Sequence, residues 1–148
     1  MAIDFPHKVT FADAEEIVCD FVDKELEGVT PEIHAYTFLP GDSTSDLDDG
    51  IPFVLVQRVG GTANYDARAA VDHALIELRV IAATRQDSWA VISYIRQRFY
   101  DLASGGFVGE RRITSIDESN GPSEIMYADS KQRAVRYLFR IGIRRAVR

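Results

Sequence analysis

The feature that most constrains this chain is the strict alternation near its C-terminus. Between Ala134 and Val147 the odd positions Val135, Tyr137, Phe139, Ile141 and Ile143 are apolar. The even positions include Arg136, Arg140, Arg144 and Arg148. Side chains on a strand point to opposite faces with a period of two, so this segment predicts a strand with an apolar face and an arginine face. Arg136, Arg140 and Arg144 recur every fourth residue, about 13 Å apart on an extended strand. A chain carrying such a strand needs a sheet and a core to cover its apolar side.

The rest of the sequence supplies both. Its 148 residues are 46% hydrophobic, enough for one domain with a single core. The 8 Phe, 6 Tyr and 1 Trp argue against disorder. Phe11, Ala14, Ile17, Val18, Phe21, Val22 and Leu26 recur at three- and four-residue spacing and predict a helix over about 11–27. Thr10 and Asp13 form a capping-box-like pair ahead of it, and Gly28 and Pro31 end it. A second helix is predicted over 85–103, capped by Thr84 and Asp87 and packed through Trp89, Ile92, Ile95, Phe99 and Leu102.

Strands are expected at 32–38, 51–59 and 73–82, with Gly60 and Gly61 stopping the second. The second and third should pair antiparallel, with Ala74, Ile76, Leu78 and Val80 facing the core. A strand or strand pair over 107–118 should precede a turn at Asn120, Gly121 and Pro122. The expectation is one α+β domain, a mainly antiparallel β-sheet flanked by two helices.

Charge is distributed unevenly. Residues 1–50 hold 13 acids and 2 bases, whereas residues 51–148 hold 10 acids and 15 bases. Such asymmetry fits a nucleic-acid-binding tail, or a subunit whose acidic part meets the basic part of its neighbour. A GC-rich genome would also favour arginine, which makes up 14 of the 17 bases. The segment 39–52 is almost free of apolar residues and reads as a long acidic loop carrying Asp42, Asp46, Asp48 and Asp49. Its acids do not fall at EF-hand positions, so a solvated loop is expected rather than a calcium site.

Nothing in the sequence has the spacing of an active site. His7, His34 and His73 are scattered, with no partner at metal-ligand spacing. There is no nucleophile elbow, and neither Gly60-Gly61 nor Gly105-Gly106 is followed by the lysine and helix of a phosphate loop. The single cysteine, Cys19, allows no intrachain disulfide and reads as a core-edge residue. No run approaches a membrane span, and no leader is evident, so a soluble protein of a reducing compartment is expected. The arginine face therefore stands out. It reads as a solvated sheet face, as an ion-pairing surface for another subunit, or as a DNA contact. The absence of interleaved aromatics argues against the last.

In order, these elements resemble the bacteriophage tail-terminator family of long-tailed phages. The resemblance rests on IPFVLVQRVGG (51–61), on ALIELRVIAATRQDSWAVISYIRQRFYDL (74–102), and on NGPSEIMYADSKQRAVRYLFRIGIRR (120–145). Residues 1–50 agree only in the order of helix, strand and loop. The resemblance implies a non-enzymatic virion protein without a cofactor, located at the head-proximal end of the tail and assembled in the host cytoplasm. It implies a ring, expected to be a hexamer, that caps the tail tube, stops its growth and presents the head-attachment surface. Its partners would be further copies of itself, the major tail tube protein, and a head connector or head-closure protein, with no membrane and no specific nucleic-acid contact. The neighbouring readings are another neck component, such as a connector or head-closure protein, or a DNA-binding accessory domain. A closed ring needs two different patches that meet head to tail. Asp42, Asp46, Asp48 and Asp49 on one subunit and Arg136, Arg140 and Arg144 on the next are the expected contributors.

Overall fold

A computed structural model describes residues 2–7, 11–38, 52–65, 70–125 and 133–146. The elements follow in the order α1 (Ala14–Glu25), β1 (His34–Tyr36), β2 (Phe53–Ala63) and β3 (Val71–Ala82). Then come α2 (Arg85–Ala103), β4 (Gly106–Val108), β5 (Arg111–Ile125) and β6 (Arg133–Arg144). The six strands form one sheet in the order β1-β2-β3-β6-β5-β4. Every neighbouring pair is antiparallel except β1 with β2. The expected α+β class therefore holds.

Both helices begin where short polar side chains can take the first free backbone amides. Asp13 accepts the Glu16 amide at 3.2 Å, and Thr84 accepts the Asp87 amide at 3.1 Å. The cap of α1 is thus Asp13 itself, and Thr10 lies outside the described residues. Helix α1 is shorter than the expected 11–27, whereas α2 spans the expected 85–103.

Both helices pack on one face of the sheet. Ala14, Val18, Val22 and Leu26 of α1 join Val91, Ile92, Ile95, Phe99 and Leu102 of α2 in one buried cluster. From the strands come Val54, Val56, Ala74, Ile76, Leu78, Val80 and the five odd residues of β6. Phe99 lies 4.5 Å, ring centre to ring centre, from Phe139, which in turn stacks on Tyr137 at 5.4 Å. The alternation in β6 thus does what its period requires.

Two expected breaks are not breaks. Gly60 and Gly61 do not stop β2, which continues to Ala63 through a register shift between Arg58 and Gly60. Gly61 adopts φ +112, and a Cβ there would overlap the His73 carbonyl on the paired strand. The glycine pair reads as a stop, but it is a bulge that lets two backbones approach closely. Likewise Asn120, Gly121 and Pro122 lie within β5, where the pairing with β6 slips between Glu118 and Asn120 and again before Ser123. The turn signal is absorbed as bulges. The segment 107–118 is a strand pair, β4 and β5, rather than one strand.

Helix α1 also serves the edge of the sheet. Asp23 accepts the Ala35 amide of β1 at 3.0 Å, and Glu15 accepts the Arg58 amide of β2 at 2.8 Å. Unpaired edge amides invite pairing with another chain, and these carboxylates occupy two of them.

Candidate subunit-contact surface

The face of the sheet turned away from the helices carries the expected contact residues. Asp42, Asp46, Asp48 and Asp49 lie outside the described residues. Arg136, Arg140 and Arg144 all stand on the open face of β6, as their even numbering requires, but their surroundings differ.

Arg136 sits directly across from Arg79 of β3. Like charges opposite one another destabilise a sheet unless something lies between them. Here it is Glu77, whose side chain is only 3% exposed. Its Oε2 accepts Arg136 Nε at 2.9 Å, and its Oε1 accepts Arg79 Nε. A buried carboxylate needs such donors, because burial strips its water. Arg136 is therefore anchored within its own chain, with its side chain still 41% exposed.

Arg140 lies across from Leu75 on one side and Asp117 on the other. It is exposed and makes no ion pair among the described residues. Arg144 lies across from Val71 at the end of the sheet. With Arg112, Val71, Ile113, Thr114 and Gly105 it lines a cleft of about 310 Å³. The three arginines thus have three different environments.

Beside this charged belt the same face becomes apolar and buried. Phe53, Leu55, Ile81 and Ala134 form a second buried cluster, with Tyr36 and Ile125 packed against it. The alternation of β3 places Glu77 and Arg79 on the face away from the core, but nothing in the sequence marks them or this cluster as contact residues. The available signal was that 77, 79 and 81 share one strand face, but their partners on β2 and β6 depend on register.

On the helix side, Glu118 accepts Arg96 Nε at 2.7 Å and the Tyr137 hydroxyl at 3.1 Å. The Arg96 guanidinium also lies over the Tyr137 ring. Burial, and then the Glu118 charge, raise the Tyr137 phenol above the ordinary tyrosine range, so it stays a neutral hydrogen-bond donor. These groups line a second pocket of about 180 Å³ with Phe99, Tyr100, Ala103 and Ile116. The arrangement ties α2 to the sheet.

Cys19, His34 and the Arg58–Asp72 pair have structural surroundings. Burial and four nearby carboxylates raise the Cys19 thiol to about 11, so it stays protonated at neutral pH. His34 lies between Asp23 at 3.3 Å and Glu32 at 2.9 Å. Burial lowers its pKa, but the hydrogen bonds to both acids raise it more. Arg58 and Asp72 form a two-pronged pair at 2.6 and 2.8 Å between β2 and β3. Among the described residues no three His, Cys, Asp or Glu side chains gather as a metal site, and no helix is long and apolar enough to cross a membrane.

A search of curated proteins returned no match. The family model described as phage tail termination protein matches residues 10–148, nearly the whole chain. It takes in both helices, all six strands and the arginine face of β6. With a match of that extent, the chain belongs to the phage tail termination protein family, a family of structural proteins of the phage tail.

Proposed function

We propose that this chain forms a closed ring, a hexamer, that caps the phage tail tube, ends its polymerisation and presents the surface to which the head attaches. The observation that carries the reading is the family match across residues 10–148. The charge distribution supports it. A ring joins two unlike patches of one subunit, and this chain separates an acidic N-terminal third from a basic remainder. Its partners in this reading are further copies of itself, the major tail tube protein, and a head connector or head-closure protein.

The side-by-side contact draws on Asp42, Asp46, Asp48 and Asp49 of one subunit and on Arg136, Arg140 and Arg144 of the next. Arg140 and Arg144 contribute most, because Arg136 already shares Glu77 with Arg79. Each exposed pair contributes only about 0–1 kcal/mol, so charge sets orientation and encounter rate while apolar contacts supply affinity.

Electron microscopy of the purified protein mixed with growing tail tubes tests the reading. Rings at one end of tubes of arrested length are expected. Tubes that keep growing with bare ends, or density bound only to heads, would refute the capping role. In the same assay Arg140→Glu with Arg144→Glu should abolish rings and leave the circular dichroism spectrum unchanged.

A further inference from the structure

Two charged patches of this molecule form no ion pair among the described residues, one on α1 beside β1 and β2, the other in a cleft lined from β3, β6 and β5. The first is on α1. Glu15, Asp23 and Glu25 are engaged, by the Arg58 amide, by His34 and the Ala35 amide, and by Arg98. Glu16 and Asp20 are not; both are exposed, form no ion pair among the described residues, and share one outward helix face at a spacing of four. Lys24 continues that face one turn on without pairing to Asp20.

The second patch is the cleft of about 310 Å³ that holds Arg112 and Arg144. Neither arginine has a carboxylate partner among the described residues. The cleft wall is shaped by a bulge, since β5 slips against β6 between Ile113 and Ser115 and leaves Thr114 without a register partner. At the same point Gly142 lets the Thr114 and Ser115 hydroxyls close down on β6, where a Cβ would collide with both. Two guanidiniums lining one cleft repel each other and favour an oxyanion between them, and their planar forks suit a carboxylate.

These patches belong to different parts of the molecule, and no ion pair joins them among the described residues. Helix α1 packs on β1 and β2, whereas Arg112 and Thr114 belong to β5. Two strand spacings separate β2 from Arg144 on β6 and three separate it from Arg112 on β5, roughly 10 and 14 Å, with α1 offset further toward the β1 edge. A two-charge acidic patch in one part of the molecule and a two-charge basic cleft in another is the arrangement a head-to-tail contact requires.

We propose that the Arg112/Arg144 cleft is a carboxylate receptor that seats Glu16 and Asp20 of a second copy of this chain. The inference rests on the ring reading and refines its contact, with Arg144 joining Arg112 to meet helix α1 of the neighbour while Arg136 and Arg140 remain for the acidic segment. The ligand is a side-chain carboxylate of a neighbouring subunit, and DNA phosphate is the competing oxyanion.

The test is a charge exchange followed by light scattering after gel filtration. One variant carries Arg112→Glu and Arg144→Glu; the other carries Glu16→Arg and Asp20→Arg. Each alone brings like charges together, so self-association should weaken about a hundredfold or more. Mixed in equal amounts, the two variants place opposite charges at every contact, and assembly should return; so should it in one chain with all four changes. Circular dichroism checks that each variant is folded. Wild-type oligomers that neither charge reversal weakens, or a mixture of folded variants that stays monomeric, would overturn the contact and leave the ring reading standing. A wild-type chain that is monomeric at every concentration and on tail tubes would overturn both. Binding of duplex DNA that is lost in the arginine variant while assembly persists would overturn the carboxylate assignment in favour of phosphate.

Discussion

The two faces of the sheet share strands but are held by different forces. On the helix-covered face Val135, Tyr137, Phe139, Ile141 and Ile143 lie in the buried cluster that both helices share, with almost no exposure. On the open face the same strand carries Arg136, Leu138 and Arg140, and its order there depends on one carboxylate. Glu77 is nearly as buried as the core, yet its side chain is polar and binds two arginines. The apolar face tolerates no gap, because its contacts are many and close. The open face tolerates partial loss, because its guanidiniums keep some water. Binary patterning alone would describe both faces of β6 correctly and still miss that the polar one is partly structural.

The largest effect is expected on the covered face. Phe139→Ala should cost about 3–5 kcal/mol in a urea titration, because Phe99 and Tyr137 would border the cavity. A loss near zero would mean that the sheet is not held through this layer. Glu77→Gln should cost less, about 1–3 kcal/mol, because the amide cannot satisfy two guanidiniums that are themselves partly solvated. If that variant matched the wild type, the open face would be merely solvated and the contrast between the faces would collapse.

A smaller effect is expected at the β1 edge. The His34 pKa is raised by Asp23 and Glu32, so its contribution to stability is complete below the unfolded histidine value of about 6.5 and fades as pH rises through the higher folded value. His34→Gln should flatten that pH dependence; an unchanged slope would remove His34 from the edge clasp. The smallest effect is expected at Arg140, where replacement by Ala should stay within about 0.5 kcal/mol. A larger loss would show that Arg140 supports the fold rather than an outer partner.

Much of the architecture was legible from local signals. The bounds of helix α2 are legible because a threonine cap, an amphipathic stripe and a glycine end coincide. Strand β6 was legible because its period of two runs for ten residues. The errors lie where local signals were real but overruled. Gly60-Gly61 and Asn120-Gly121-Pro122 carry turn chemistry, yet paired strands on either side hold them in the sheet as bulges. The contact face was legible only in part. Arg136 was singled out, but its partner Glu77 stands 59 residues earlier and is brought near by the register of β3 against β6.

By itself the sequence determined the alternation of apolar and arginine positions on β6, the two capped helices and the uneven charge, since each follows from residues close in the chain. Only the tertiary structure decided that both helices cover one face, that Glu77 binds Arg79 and Arg136, and that Arg112 and Arg144 share a cleft. The reason is physical. Periodicity says which side a residue faces, whereas strand order and register say what it meets there, and those are set by burying the whole core at once.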